Sequence, residues 1–387
     1  MEIIKMMKTN RFLVTGVFLL MFCSVLPVMA NEVVGEIVYI EGSVDIFRDG
    51  DKLSWRQVDI GSFIEEFDMV QTGDDGYVEI SLAHAGSGAM VTVQPETSFY
   101  FDLEDVEGPK KTEFAIMAGS MAFRVQKLTG NEAFQVRTES VAMGVRGTNF
   151  KIIVAPEGSV LCTCDEGLVE CKTEDGQQAY SKPGQVVQKI TEKSLETAEI
   201  SPGQLDDYSA EWLSIREDVF KRGANTFIKG YGRRYIQMRP MFMQAYSNLK
   251  AVEPLLRRVE GMDSPGNLGT LFQIKREVSP SVVKMRSILP LFENAFFRLV
   301  KLSEYHQLGY GRGMIDSSTS TDGFFGQFDS LELEMKQRLS HTYYLLRLYQ
   351  KLHALTGGGP SILDSPFEGG SGMPKSNFPE SLGGSKF

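Results

Sequence analysis

From Val33 to about Ile190, apolar and polar positions alternate with a period of two. Val78, Ile80 and Leu82 alternate with Glu79 and Ser81, and Phe134, Val136 and Thr138 with Gln135 and Arg137. That period places successive side chains on opposite faces of a strand. Turn-forming clusters break it at short intervals: Arg48-Asp49-Gly50-Asp51, Gly73-Asp74-Asp75-Gly76, Glu107-Gly108-Pro109 and Leu128-Thr129-Gly130-Asn131. Many short strands so bounded predict an all-β N-terminal domain, as a sandwich, roll or short β-solenoid. No fixed repeat chooses among the three.

Beyond Ser201-Pro202-Gly203 the period becomes helical. Met238, Phe242, Ala245, Leu249, Val252, Leu256 and Val259 follow steps of four and three. Val282, Met285, Leu289, Phe292, Phe296 and Leu299 do the same, as do Leu331, Met335, Leu339, Thr342, Leu346, Tyr349 and Leu352. Tyr208 to Phe227, with Trp212, Ile215, Val219 and Phe220, adds a fourth series. Each puts one apolar stripe along a helix, and four helices of similar length predict an all-α bundle. The chain as a whole reads as α+β. Pro240, Pro254 and Pro290 lie inside these patterns and are expected to kink or interrupt them. Gly309 to Gly326 reads as a long Gly/Ser/Thr loop, a length associated with function or disorder.

The first residues have a different character. Lys5, Lys8 and Arg11 precede an apolar run from Phe12 to Leu26, and Val28-Met29-Ala30 leaves small residues where a signal peptidase cuts. Residues 1–30 are therefore expected to be a signal peptide, with an uncleaved anchor or lipidation at Cys23 as alternatives. Residues 31–200 form the expected β domain, 201–356 the helical bundle, and 357–387 a disordered Gly/Ser/Pro-rich tail. The leader makes an exported mature chain the expectation, periplasmic or envelope-associated, and since no later run is apolar enough to span a bilayer, no integral membrane span is expected. Charge divides unevenly: residues 31–200 carry 14 Lys/Arg against 30 Asp/Glu, and 201–387 carry 23 against 19. An acidic first domain repels polyanions, which excludes nucleic acid as its partner.

Candidate chemistry is sparse. A two-residue loop at Glu166-Gly167 would set Cys162 opposite Cys171 on one face with Cys164, so a Cys162–Cys171 disulfide is expected. Three unpaired thiols or a soft-metal site are the alternatives. His84, His306, His341 and His353 are scattered, and read as surface or helix-end residues. No nucleophile triad, zinc motif or phosphate loop is present, so neither catalysis nor a cofactor or metal is expected. The acidic clusters Asp102, Glu104, Asp105, Glu107 and Glu65-Glu66 with Asp68 read as solvated edges. Arg222, Lys229, Arg233, Arg234 and Arg239, with Phe227, Tyr231 and Tyr235 among them, form a possible partner surface for an envelope protein or anionic envelope polymer. Two related tail segments, Ser365-Pro366-Phe367-Glu368 and Asn377-Phe378-Pro379-Glu380, have the form of docking peptides.

Several segments fall in a familiar order. "GEIVYIEGSV" runs from Gly35 to Val44, "WRQVDIGSFIEEFDMVQTG" begins at Trp55, and an alternating strand spans Gly76 to Leu82. "MAGSMAF" covers Met117 to Phe123, "AMGVRGTNF" Ala142 to Phe150, then come Glu166-Gly167-Leu168-Val169 and Pro183-Gly184-Gln185. In this order the β region resembles the FecR family of bacterial envelope proteins, with Gly144, Val145, Arg146, Gly147 and Thr148 as its most specific motif. Gly144 and Gly147 allow a bulge or positive φ around Arg146, which is expected to fork onto a carboxylate in a structural ion pair. The helical half is not covered by the resemblance. Membrane-embedded members regulate a sigma factor through a cytoplasmic segment and sense a receptor through the periplasmic domain. Only 11 residues precede the apolar run here, so the expectation is a non-enzymatic envelope binding or scaffold protein with a helical partner-binding module. The alternative is a periplasmic signalling component that contacts a transmembrane regulator or receptor through the FecR-like domain. Oligomeric state is not legible in the sequence.

Overall fold

The computed structural model describes residues 33–83, 89–104, 111–126, 133–145, 147–191, 193–201, 203–262 and 264–357. The expected signal peptide, the tail after Gly357, His84, Arg146, Asp105, Glu107 and the turns at 107–109 and 128–131 lie outside the described residues.

The strands form two ladders that share one long strand, Lys111–Arg124. The first ladder runs Phe63–Glu65, Val33–Glu41, Tyr77–Leu82, Met90–Val93, the shared strand, Asn149–Val154, Val160–Glu166, Gln185–Lys189, Leu195–Glu199. The second runs Asp51–Lys52, Val44–Arg48, Met69–Thr72, Ser98–Glu104, the shared strand, Ala133–Arg137, Ala142–Val145, Val169–Lys172, Gln178–Ser181. Ala133–Arg137 lies parallel to Lys111–Ala115, and the other pairings are antiparallel. Of the three expected arrangements the structure adopts facing sheets. Phe99, Phe101, Phe114, Phe123, Phe134 and Phe150 form a continuous aromatic core between them.

The shared strand changes sheet at Gly119. Residues up to Ala118 pair in the second ladder, and Gly119 to Arg124 pair in the first. Phe114 and Ile116 point into the core before this position, Met121 and Phe123 after it. The inward parity therefore changes from even to odd, as a bulge requires. Gly119 has φ +92, and a Cβ there would lie 2.5 Å from Thr97 Cα and 2.7 Å from Glu96 O. Both the angle and the backbone contact demand glycine. Gly119→Val is expected to destabilise the chain by about 3 kcal/mol, from positive-φ strain and overpacking together. Urea unfolding checks this; an unchanged midpoint would refute it.

Three long helices and one short one follow: α1 (Leu205–Ala251), α2 (Glu253–Leu256), α3 (Leu268–Gln307) and α4 (Thr321–Leu355). The sequence pattern suggested four of similar length. The Tyr208–Phe227 series and the Met238–Leu249 part of the first series instead belong to one helix of 47 residues, roughly 70 Å long, that continues through Pro240. Pro280 and Pro290 likewise lie inside α3, while Pro254 sits in the first turn of α2, after the chain breaks at Val252. Ring contacts set the order of packing. Phe220 meets Tyr305 and Phe242 meets Phe292, so α1 and α3 are antiparallel. Tyr235 against Phe328 and Tyr246 against His341 place α4 alongside α1.

The loop before α4 is packed. Ile315 is fully buried over Gly232, Asn225 Nδ2 donates to Gly311 O and Arg312 O, and Arg233 Nε donates to Ile315 O at 2.9 Å. Ser320 caps α4 by accepting from Gly323 N. The described residues from Val33 onward form one compact unit. The helical core takes in Phe47, Phe67, Met69, Tyr100 and Ala115 from the β region. Among the described residues no helix is long and apolar enough to cross a membrane.

Candidate functional site

A cluster of buried charged groups lies where the β region meets the helices. The turn Ala155–Ser159 joins two strands of the first sheet and reaches between α1 and α3; Gly158, at φ +98, closes it. Arg298 of α3 is only 2% exposed, and its Nη1 donates to Ala155 O at 2.8 Å. Its Nε lies 3.7 Å from Glu139, which also faces Arg234 at 3.9 Å. Glu157, in the turn, lies 4.0 Å from Arg216 of α1. Burial pushes the Glu157 carboxyl above its ordinary range, and Ser159, Arg216 and Arg298 offset only part of that rise. Below the turn, Trp212 Nε1 donates to Gln188 Oε1 at 2.8 Å.

Further contacts join the halves. Arg347 of α4 donates to Asp49 Oδ1 at 3.2 Å, and Gly50 N donates to Ser340 Oγ at 3.0 Å. Tyr100 stacks on Tyr343 with centroids 4.4 Å apart, and the Tyr343 hydroxyl donates to Glu293 at 2.9 Å. Glu293 is buried, and burial raises its carboxyl above the usual range. Arg137 Nη2 donates to the Tyr100 hydroxyl, and Arg137 Nε pairs with Glu113 at 2.6 Å.

Within the β region, the cluster read as a solvated edge contains a buried ion pair. Arg48 grips Asp68 with two bonds, Nε–Oδ1 at 2.9 Å and Nη2–Oδ2 at 2.6 Å, and reaches Glu65 at 2.5 Å. Asp68 is fully buried, so burial pushes its carboxyl up to about 6 despite Arg48. A carboxyl raised from 3.8 to about 6 holds its proton more tightly when folded. The stability this contributes is complete below pH ~4 and lost as pH rises through ~6, about 3 kcal/mol across that window. Glu157 and Glu293 shift in the same direction. The melting temperature is therefore expected to be higher at pH 5 than at pH 8, with a smaller difference in Asp68→Asn. Equal dependence in both proteins would refute Asp68 as a source.

The cysteine register is corrected. Val160–Glu166 pairs with Asn149–Val154 and Gln185–Lys189, whereas Val169–Lys172 pairs with Ala142–Val145 and Gln178–Ser181. Glu166-Gly167 thus carries the chain between sheets and closes no hairpin. Gly167, at φ +90, fits where a Cβ would lie 2.5 Å from Thr148 Cγ2. Cys162, Cys164 and Cys171 are buried free thiols. Cys162 and Cys171 still meet across the core, and their hydrogen bond, then burial, raises the Cys162 thiol. Burial pushes Cys164 up to about 12. Such thiols are poor nucleophiles. A Cys162–Cys171 disulfide stays a proposal, which non-reducing peptide mapping tests. Among the described residues, no group of three or more His, Cys, Asp or Glu is placed to hold a metal.

The FecR-like motif lies at the same corner. Gly144 and Val145 end the strand Ala142–Val145, Gly147 takes φ +63, and Thr148 O accepts from Val125 N. The basic residues separate. Arg222, Lys229 and Arg233 share one face of α1, and Arg233 holds the 308–320 loop; Arg234 turns to Glu139, and the Arg239 Nε is buried. Two histidines expected at the surface are drawn inward: His306 is buried and contacts Thr321 and Asp322, and half-buried His341 bonds the Tyr246 hydroxyl. Sequence reasoning missed Arg298, Glu157 and Arg48. Only the isolation of Arg298 within an apolar run, Phe296-Phe297-Arg298-Leu299-Val300, signalled one of them.

Residues 68–170 match the family model described as FecR protein. The earlier segments at Gly35 and Trp55 and the Pro183-Gly184-Gln185 end lie outside that match. No curated protein matches the chain. Two solved structures, both described as a "putative anti-sigma factor" from Parabacteroides distasonis, are similar over part of their length. One aligns at 15% identity with a TM-score of 0.31, covering 36% of this chain and 64% of its own. The other aligns at 18% identity with a TM-score of 0.28, covering 34% and 64%. Likeness at that level carries no functional argument. The family match rests on the sandwich itself, from Asp68 through the sheet-switching strand and the Gly144–Thr148 corner: over residues 68–170 this chain carries a FecR family domain.

Proposed function

We propose that the chain is a signalling component of the cell envelope, non-enzymatic, in which the FecR domain meets a transmembrane regulator or receptor and the helices relay that contact. The observation that carries this reading is the FecR match over residues 68–170. The packing of the helices against that domain gives a route, because a shift of the Ala155–Ser159 turn bears directly on Arg298 and Arg216. The match favours the signalling expectation over that of a scaffold. Export from the cytoplasm, with an envelope protein as partner, is part of the proposal.

Transcript profiling of the native host tests it. Deleting the gene is expected to change a restricted set of transcripts, restored by the wild-type chain and not by Gly119→Val. Unchanged transcription would sink the signalling reading and leave the scaffold.

A further inference from the structure

A cavity of about 340 Å³ opens between the outer face of the first sheet and helices α1 and α3. Its walls come from segments far apart in the chain: residues 94–96, 118–120, 151–156, 206–217 and 298–305. Its size lies at the lower end of the range for small-molecule sites.

Its polar groups are unevenly matched. The Ser120 Oγ on its wall is buried and has no hydrogen-bond partner. The same holds for the Nε of Arg298, whose nearest carboxylate oxygen, on Glu139 at 3.7 Å, is too far for a hydrogen bond. Lys151 also lines the cavity and has no ion pair among the described residues. The anions at the rim are largely engaged: Glu96 with Lys301 at 2.5 Å and Glu217 with Lys221 at 3.4 Å, while Asp206 lies in the first turn of α1. Two unmatched donors and an unpaired lysine thus line a half-open cavity whose formal charges balance, Lys151, Arg298 and Lys301 against Glu96, Asp206 and Glu217, and buried donors without acceptors are rare in folded proteins. The remaining wall is largely apolar, with Pro95, Ile153, Pro156 and Leu213 beside Gln94, Ser209 and Tyr305.

We propose that this cavity binds a small carboxylate with an apolar body, of dipeptide size, with Arg298, Lys151 and Ser120 taking the carboxylate. A guanidinium and an ammonium give charge-assisted bonds to such a group, and the apolar wall receives its side chain. Occupancy would tie α1 and α3 to the sheet at the turn that Arg298 already holds. Binding here is independent of which protein the FecR domain meets.

Calorimetric titration of the full chain with N-acetyl-leucine and N-acetyl-phenylalanine, each beside its uncharged amide, tests the proposal. At least one acid is expected to bind in the millimolar range or tighter, and its amide at least about tenfold more weakly. Lys151→Met is expected to weaken the acid roughly tenfold. Leu213→Trp, which fills the cavity, is expected to abolish binding while far-ultraviolet circular dichroism stays unchanged. Should that variant fail to fold, Ala210→Leu replaces it. Equal binding of acid and amide, acid binding indifferent to Lys151→Met and to the filled cavity, or no acid binding at millimolar concentration would each overturn the proposal; the last would mean that the cavity holds water only.

Discussion

Replacing Arg298 with methionine is expected to destabilise the chain by about 3–5 kcal/mol, the range for removing one partner from a buried charge cluster. The side chain is 2% exposed and serves two halves of the molecule at once. Its loss leaves Ala155 O without its donor and withdraws positive charge from Glu139 and Glu157. Of Arg298 and Arg216, Glu157 then keeps the second, at 4.0 Å, together with Ser159, in a setting that already disfavours its ionised form. Methionine restores most of the volume, so the effect reads the charge and not a void. The double variant Arg298→Met, Glu157→Gln is expected to recover at least about 1 kcal/mol, since contacting groups couple. Chemical denaturation of the four proteins in that cycle measures this. Additive single effects would show that the two residues do not communicate.

The second large effect concerns the β region cut from its helices. Residues 33–200 retain the aromatic core between the sheets and are expected to keep strand structure. They lose the cover over Phe47, Phe67, Met69, Tyr100 and Ala115, all buried in the helical core. Re-exposing large apolar side chains costs about 1.5–3 kcal/mol each. Four of these five are large, and their summed cost is comparable to the whole stability of a typical domain, about 5–15 kcal/mol. The fragment is thus expected to bind hydrophobic dye and to melt far below the full chain, or without a cooperative transition. Melting of fragment and full chain at the same temperature would show that the sheet does not depend on the helices, and would support residues 31–200 as an independent domain.

Much of the architecture was legible because it rests on local periodicity. Alternation at Val78–Leu82 marked a strand, and the three-four spacing at Val282–Leu299 marked α3, since both patterns express burial of one face. Prolines were the weaker guide. Pro240 and Pro290 do not end their helices, whereas the break at Val252, one residue before the start of α2, falls beside Pro254. The cysteine register failed for a different reason. Glu166-Gly167 has the composition of a tight hairpin, but Gly167 uses its freedom to pass Thr148 at a corner between sheets. Local composition allows both geometries, and only the partners of the flanking strands choose between them.

By itself the sequence determined the order of elements, the place near residue 200 where strands yield to helices, and the FecR-like segment with its glycines. These follow from short-range spacing, which a single chain displays in full. The tertiary structure decided which charges are buried. Arg48 and Asp68 are 20 residues apart, and Arg298 and Ala155 are 143 apart. Apart from the apolar run around Arg298, nothing in the neighbourhood of either pair distinguishes it from a solvated one. The same holds for the cavity between sheet and helices, which exists only because five distant segments line it. Burial is a property of the assembled fold, and the charges that hold this one together acquire their roles there.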